Sequence, residues 1–298
     1  MHAIRMTDMM VTALAPIVWG STYLITTEFL PPNSPLLASL IRALPAGLVL
    51  LLLCRKLPKG MWWGRAAILG TLNIGLFFYL LFEAAYRLPG GVAALVMACQ
   101  PIVVLLLSTL LLQENIRKIQ VAACGVGAAG IALLVLKPTA SLDLIGIIAG
   151  LAGAVSMALG VVLTKRWGRP EGVSMLNFTG WQLTAGGLFL LPITLLFEPL
   201  PDTITGTNLM GFGYLSIIGA LLAYTLWFRG IERLDPTTTS FIGFASPLSA
   251  AILGYIFLQE TFTPLQSLGA LAILCSIVLS QAKLKPSATQ NKTAAQQS

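Results

Sequence analysis

Apolar residues run along this chain in long blocks separated by short polar connections. A helix needs about 20 apolar residues to cross the hydrocarbon core of a bilayer. Ten blocks of that kind fall near 9–28, 35–54, 66–86, 91–112, 119–136, 144–164, 174–197, 209–229, 237–258 and 265–282. The connections leave no room for a soluble domain, so consecutive helices are expected to be antiparallel neighbours. The pattern predicts an all-α membrane protein of ten transmembrane helices. Arg5 precedes the first block in the order of a signal peptide, but no small-residue cleavage site follows and Pro31-Pro32 closes the block. A retained first helix is therefore expected. The stretch from Lys283 to Ser298 is polar, rich in Gln, Ala, Thr and Lys, and reads as a disordered tail.

The blocks repeat. Gln113-Glu114 recurs as Gln259-Glu260, and the same offset of 146 carries Arg87-Leu88 onto Arg233-Leu234, Pro101 onto Pro247, Leu112 onto Leu258 and Gln120 onto Gln266. Leu14-Ala15 and Val18 fall on Leu151-Ala152 and Val155 at an offset of 137, and Gly47-Leu48 on Gly187-Leu188 at 140. The drifting offset implies small loop insertions in the second copy. Duplication of a membrane unit is the mark of a secondary transporter whose substrate site lies between the copies. The units are expected at 1–137 and 138–285, each of five spans, with 286–298 as a cytoplasmic tail.

Charge fixes the expected orientation. With the N-terminus inside, the inner segments hold Arg5; Arg55, Lys56, Lys59 and Arg65; Arg117 and Lys118; Lys165, Arg166 and Arg169; Arg229 and Arg233; and Lys283, Lys285 and Lys292. The outer loops hold only Arg87 and Lys137. Lysine and arginine gather on the cytoplasmic side, so both termini are expected there. Five spans per copy is an odd number, so the second copy crosses in the opposite sense, giving a 5+5 inverted repeat. The net charge of +7 follows from this asymmetry, and no nucleic-acid partner is implied. Only 10% of residues are charged and 56% are hydrophobic, against about 25% charged in a soluble domain.

Several features together resemble the EamA branch of the drug/metabolite transporter superfamily. They are Trp19-Gly20-Ser21, Arg42 with Ala46-Gly47, Pro101, Leu112-Gln113-Glu114, Gln120 and Gly125. The second copy repeats Pro247, Leu258-Gln259-Glu260, Gln266 and Gly269. The family pattern usually has Gly before the Glu that closes the fourth helix, where this chain has Gln twice. The resemblance spans roughly 9–282. It implies a 5+5 inverted-repeat bundle with cytoplasmic termini, a central cavity, and export or exchange of small metabolites.

Chemistry inside the spans is sparse. His2, the single histidine, lies in the N-terminal tail, and Cys54, Cys99, Cys124 and Cys275 sit apart in apolar runs. No metal site and no cofactor is expected. Gly125-Val126-Gly127-Ala128-Ala129-Gly130 matches a dinucleotide fingerprint but lies inside an apolar span, where it reads as helix packing. Gly146 and Gly150 are spaced for the same purpose. Arg42 sits about 10 Å inside the second helix at 1.5 Å per residue. An arginine at that depth needs a reason: a substrate carboxylate, an ion pair with Glu83 or Glu28, or snorkelling to the interface. Glu83 is the acidic residue within a span, a candidate for proton coupling or a surface pair with Arg87.

Trp19, Tyr23, Asn73, Tyr79, Gln100, Trp181, Gln182, Tyr224 and Ser246 complete the candidate substrate set with Arg42. Gln100 and Ser246 precede the repeat mates Pro101 and Pro247, where helix kinks are expected. Gln182 matches Arg42 at the 140 offset. Trp227, near a helix end, reads as an interfacial anchor.

The sequence thus points to an inner-membrane secondary transporter, expected to be monomeric, that exports or exchanges amino acids or related compounds by alternating access. A lipid or nucleotide-sugar carrier of the same superfamily is the alternative. An intramembrane enzyme is not expected, because Asp8, Asp143, Asp202 and Asp235 all lie in loops or tails and His2 cannot serve.

Overall fold

The structure is a computed structural model that describes residues 2–88, 93, 96–97, 99–135, 143–257 and 263–281. Lys137, the pair Gln259-Glu260, the tail from 282 onward and the boundary between 137 and 138 lie outside the described residues. So does the side chain of Gln266.

Among the described residues the fold is all-α. The helices are α1 (His2–Gly20), α2 (Thr22–Phe29), α3 (Pro35–Cys54), α4 (Trp62–Gly70), α5 (Leu76–Arg87), α6 (Gln100–Leu112), α7 (Lys118–Val135) and α8 (Leu144–Trp167). They continue with α9 (Met175–Phe197), α10 (Gly206–Ser216), α11 (Ala223–Arg233), α12 (Pro236–Ile242), α13 (Ala245–Phe257) and α14 (Pro264–Gln281). Two π-helical segments interrupt the ladder: π1 (Thr71–Gly75) joins α4 to α5, and π2 (Ile217–Leu222) joins α10 to α11. Six stretches are long and apolar enough to cross a membrane: Met6–Phe29, Pro35–Cys54, Trp62–Arg87, Leu144–Trp167, Met175–Phe197 and Gly206–Arg233. Three shorter apolar helices accompany them, Gln100–Leu112, Lys118–Leu133 and Ser267–Ser280.

Local chemistry sets the boundaries. Pro35 opens α3, where its missing N–H leaves no bond unmade. Asp143, Ser174 and Asp235 each accept from a backbone N–H three residues on, at 2.8, 3.2 and 2.7 Å, the N-cap arrangement that satisfies an orphan donor. Thr205 and Asn208 form a reciprocal capping box at the start of α10. The block at 237–258 is one run in sequence but two helices in structure, divided at Gly243-Phe244. Pro247 explains the division: it cannot bond to the carbonyl of Gly243 four residues earlier, and its ring crowds that carbonyl. Pro101 likewise stands in the first turn of α6, just after a turn at Cys99.

Helices at matching sequence offsets pack on one another. α3 and α9 begin 140 residues apart and form one of the two most extensive pairings; α7 and α14, 146 apart at both ends, form the other. At the α3–α9 crossing a Cβ on Gly47 would lie 2.8 Å from the Leu183 carbonyl carbon, and one on Gly187 would lie 2.8 Å from the Leu44 Cα. These two glycines are themselves 140 apart, so each copy supplies the notch for the other, the small-residue contact that membrane helices use to approach closely. Outside, Leu52, Leu110, Leu196 and Phe197 are each at least 72% exposed, an apolar belt suited to lipid.

Candidate functional site

A cavity of about 750 Å³ of empty space, including its open mouth, lies where the helices converge. Trp19, Thr22 and Tyr23 reach it from the α1–α2 junction, Arg42 from α3, Phe77 and Leu81 from α5, and Met157 from α8. Gln100 and Pro101 border it on one side, and Ser240, Gly243, Phe244, Ser246 and Pro247 on another. The cavity therefore touches the start of α6 at Gln100 and the break between α12 and α13 at Gly243-Phe244.

The Trp19-Gly20-Ser21 segment positions the first wall. The Ser21 N–H folds back to the Val18 carbonyl at 3.1 Å, ending α1 a turn early. The freed Ile17 carbonyl accepts from Ser249 Oγ at 2.7 Å. A Cβ on Gly20 would meet the Ser246 carbonyl oxygen at 2.6 Å, so only glycine lets α1 lie this close to α13. Trp19 then projects inward. Its ring centre is 4.9 Å from Tyr224 and 5.1 Å from Trp227, spacings that favour tilted aromatic pairs.

Arg42 is 1% exposed. Its Nη2 donates to the Gly219 carbonyl at 3.2 Å, and its guanidinium carbon lies 4.4 Å from the centre of the Phe78 ring. Nε and Nη1 are buried with no acceptor. Neither Glu83 nor Glu28 pairs with it: Glu83 bonds to Arg87, the next turn of α5. The actual partner is a backbone carbonyl within π2. A π turn shifts the bonding register, and such bulges often mark functional positions. The same Gly219 carbonyl accepts from Trp19 Nε1 at 2.9 Å, so one buried carbonyl fixes both residues.

The remaining candidates divide. Trp19, Tyr23, Arg42, Gln100 and Ser246 line the cavity, with Pro101 and Pro247. Tyr224 is fully buried behind Trp19, its hydroxyl donating to the Asn73 carbonyl at 3.3 Å. Asn73 Nδ2 donates to Gln182 Oε1 at 2.8 Å and to Thr164 Oγ1 at 3.0 Å, a buried polar cluster with none of its members in the cavity lining, in which Asn73 Oδ1 and Gln182 Nε2 find no partner. Trp181 Nε1 donates to the Lys56 carbonyl at 2.7 Å at the end of α3. Tyr79 packs with Leu36, Leu40 and Leu190. Trp227 is corrected: it is no interfacial anchor but 1% exposed and part of the cavity wall. Position near a helix end misled, because α11 runs on into the protein-covered α12. Thr22, Met157 and Phe244 carried no signal in the sequence that set them apart from packing residues.

The bundle ends are tied by ionic and polar contacts. Asp8 accepts from Arg229 at 2.7 Å and from Arg233 at 3.2 Å, joining α1 to α11. Lys165 Nζ donates to the carbonyls of Ile231, Glu232 and Leu234 at 3.2, 2.9 and 2.9 Å, capping the last turn of α11 with a cation. Nearby, burial first and then the charge of Asp235 push the Glu114 carboxyl above the ordinary glutamate value. At the far end of α9, Glu198 accepts from the Leu36 and Leu37 N–H groups at 2.8 and 2.7 Å.

A helical bundle with several spans long and apolar enough to cross a membrane and a cavity walled by tryptophan and arginine suits a membrane transporter. The chain belongs to the EamA-like transporter family, whose model matches it twice, over residues 6–136 and 144–281. Protein PecM of Dickeya dadantii (strain 3937) is 52% identical over 267 residues, covering 90% of each chain. An uncharacterized inner membrane transporter of Escherichia coli (strain K12), YedA, is 29% identical over 268 residues, covering 88% of this chain and 87% of its own. A crystal structure at 19% identity superposes with a TM-score of 0.76 over 92% of this chain and 97% of the other, which shows a shared fold. The family makes this protein a membrane transporter rather than an enzyme.

Proposed function

We propose that this protein is a secondary transporter of the inner membrane that exports or exchanges small carboxylate-bearing metabolites, amino acids or related compounds, by alternating access. The site is the cavity bounded by Trp19, Tyr23, Arg42, Gln100 and Ser246. In this reading the chain makes ten crossings as a 5+5 inverted repeat divided near 137, works as a monomer, and keeps both termini in the cytoplasm. The two matches to the family model and the α3–α9 and α7–α14 pairings support that arrangement.

The observation that carries the reading is Arg42. A buried guanidinium with two nitrogens lacking acceptors is expensive. A substrate carboxylate arriving at the cavity wall supplies the missing acceptors through charge-assisted bonds. The test is counterflow into proteoliposomes with a panel of labelled amino acids and related acids, with wild type and Arg42→Gln compared. A carboxylate substrate is expected to lose about 10- to 100-fold in transport, the equivalent of 1.5–3 kcal/mol for a hydrogen bond to a charged group. Unchanged transport by a folded Arg42→Gln protein would refute the site. An imposed pH gradient tests Glu83: if this residue couples protons, Glu83→Gln abolishes gradient-driven accumulation and leaves counterflow intact.

A further inference from the structure

The carboxylate reading of the cavity, on which this inference rests, says nothing about the rest of the substrate. The wall does. Besides Arg42 Nε and Nη1, two other buried donors of lining residues have no acceptor, Gln100 Nε2 and Trp227 Nε1. Four unmet donors therefore gather around one cavity. Among the described residues no Asp or Glu lines it, and Arg42 is the charged residue in its wall. Three carboxylates at the bundle ends are engaged elsewhere: Asp8 with Arg229 and Arg233, Glu83 with Arg87, and Glu198 with the first N–H groups of α3.

An amino acid brings two charges to such a site. Its carboxylate is matched by Arg42, but its α-ammonium, two bonds from that carboxylate, must shed water beside the guanidinium with no anion to receive it. A charge buried without a partner is heavily penalised, and a like charge nearby adds to the penalty. The aromatic walls, Trp19, Tyr23, Phe77, Trp227 and Phe244, suit a flat apolar body.

We propose that the cavity selects aromatic carboxylates that lack an α-ammonium group over zwitterionic amino acids with the same body. Specificity arises as much from the missing anion as from Arg42, since a wall with no carboxylate among its described residues leaves an ammonium without a counter-charge.

The test uses three molecules with a common phenylethyl body: 3-phenylpropanoate, phenylalanine and 2-phenylethylamine. Binding to the full-length protein in nanodiscs is read from the quenching of cavity tryptophans. Counterflow in proteoliposomes gives a second reading. 3-Phenylpropanoate is expected to bind at least about tenfold more tightly than phenylalanine, and 2-phenylethylamine not saturably. Arg42→Gln is expected to abolish the preference for 3-phenylpropanoate over its neutral amide. If Arg42→Gln does not fold, the wild-type order decides alone. Phenylalanine binding as tightly as 3-phenylpropanoate overturns the selectivity, and with Arg42 dependence retained it leaves the carboxylate site standing. Equal binding of 3-phenylpropanoate to wild type and a folded Arg42→Gln overturns both. Saturable binding of none of the three overturns the aromatic class.

Discussion

π1 and π2 occupy equivalent places, 146 residues apart, and each is met by an equivalent side chain from the other half of the chain. Gln182 meets Asn73 in π1, and Arg42, its mate at an offset of 140, meets Gly219 in π2. Asn73 and Gly219 are themselves 146 apart. The two crossings use one backbone device and end differently. In π1 the carbonyls of Leu72 and Asn73 accept from Ser156 at 2.8 Å and Tyr224 at 3.3 Å, and the Asn73 side chain ties Gln182 to Thr164. In π2 glycine leaves the space an asparagine would fill. Arg42 takes it, with Nη2 and Nε at 3.7 and 3.8 Å from where a Gly219 Cβ would stand. A large cation faces glycine at one crossing and a small amide faces asparagine at the other; the first borders the cavity and the second does not.

The difference can be broken by moving the cation. Gln182→Arg forces a charge into the space held by Asn73 and Thr164. It is expected to destabilise by roughly 3–5 kcal/mol, the range for an uncompensated buried charge. Little protein should accumulate, as judged by detergent size exclusion and thermal unfolding. Adding Asn73→Gly recreates the Arg42–Gly219 arrangement and should restore a large part of the loss. A double variant as unstable as the single one would show that the crossings are not equivalent.

Arg42→Gln comes next in size. Alongside the lost transport argued above, its resting stability should hold or rise, because an unpartnered buried charge is replaced by an amide. A melting temperature lower by more than about 4 °C, on the order of 1 kcal/mol, would mean that Arg42 is a structural tie. Gly219→Asn is smaller still. An Oδ1 placed beside the guanidinium competes with the substrate, so transport falls by about tenfold, while Gly219→Ala, which meets only ordinary contacts, changes it little.

Arg42 could be singled out in the sequence because depth in an apolar run is visible there, and so could its match with Gln182. Its partner could not. A π turn in Thr71–Gly75 or Ile217–Leu222 has no composition that separates it from an α turn, and a backbone carbonyl leaves no letter to match with an arginine. Carboxylates are the partners a sequence can offer an arginine, and the one at similar depth, Glu83, serves Arg87. The helical segments were legible from apolar length, and the α3–α9 and α7–α14 pairings follow the offsets already present in the sequence. The break at Gly243 was foreshadowed by Pro247, but whether a proline bends a helix or restarts it depends on what packs there. Asn73 and Gln182 looked like wall residues because a polar side chain in a span reads the same whether it faces a substrate or a neighbouring helix.

The smallest effect concerns how the two members of the α3–α9 pair hold each other at their ends. One end is neutral: Trp181 and Asn177 donate to the Lys56 carbonyl at 2.7 and 2.8 Å. The other rests on the titratable Glu198, both of whose oxygens accept from the start of α3. Burial pushes the Glu198 carboxyl above its ordinary value of 4.5, and the two N–H donors only partly offset that. The folded protein therefore holds this proton more tightly than the unfolded chain. Its contribution to stability is full below the ordinary value and declines as pH rises through the raised one, after which it is constant. Glu198→Gln removes the titration, so thermal unfolding of wild type should lose stability relative to the variant across that window. The difference should stay below about 1 kcal/mol, since the group is half-exposed and screened. A wild type that instead gains on the variant as pH rises would show that the two N–H donors outweigh burial, and that this end is held by charge more strongly than the neutral one.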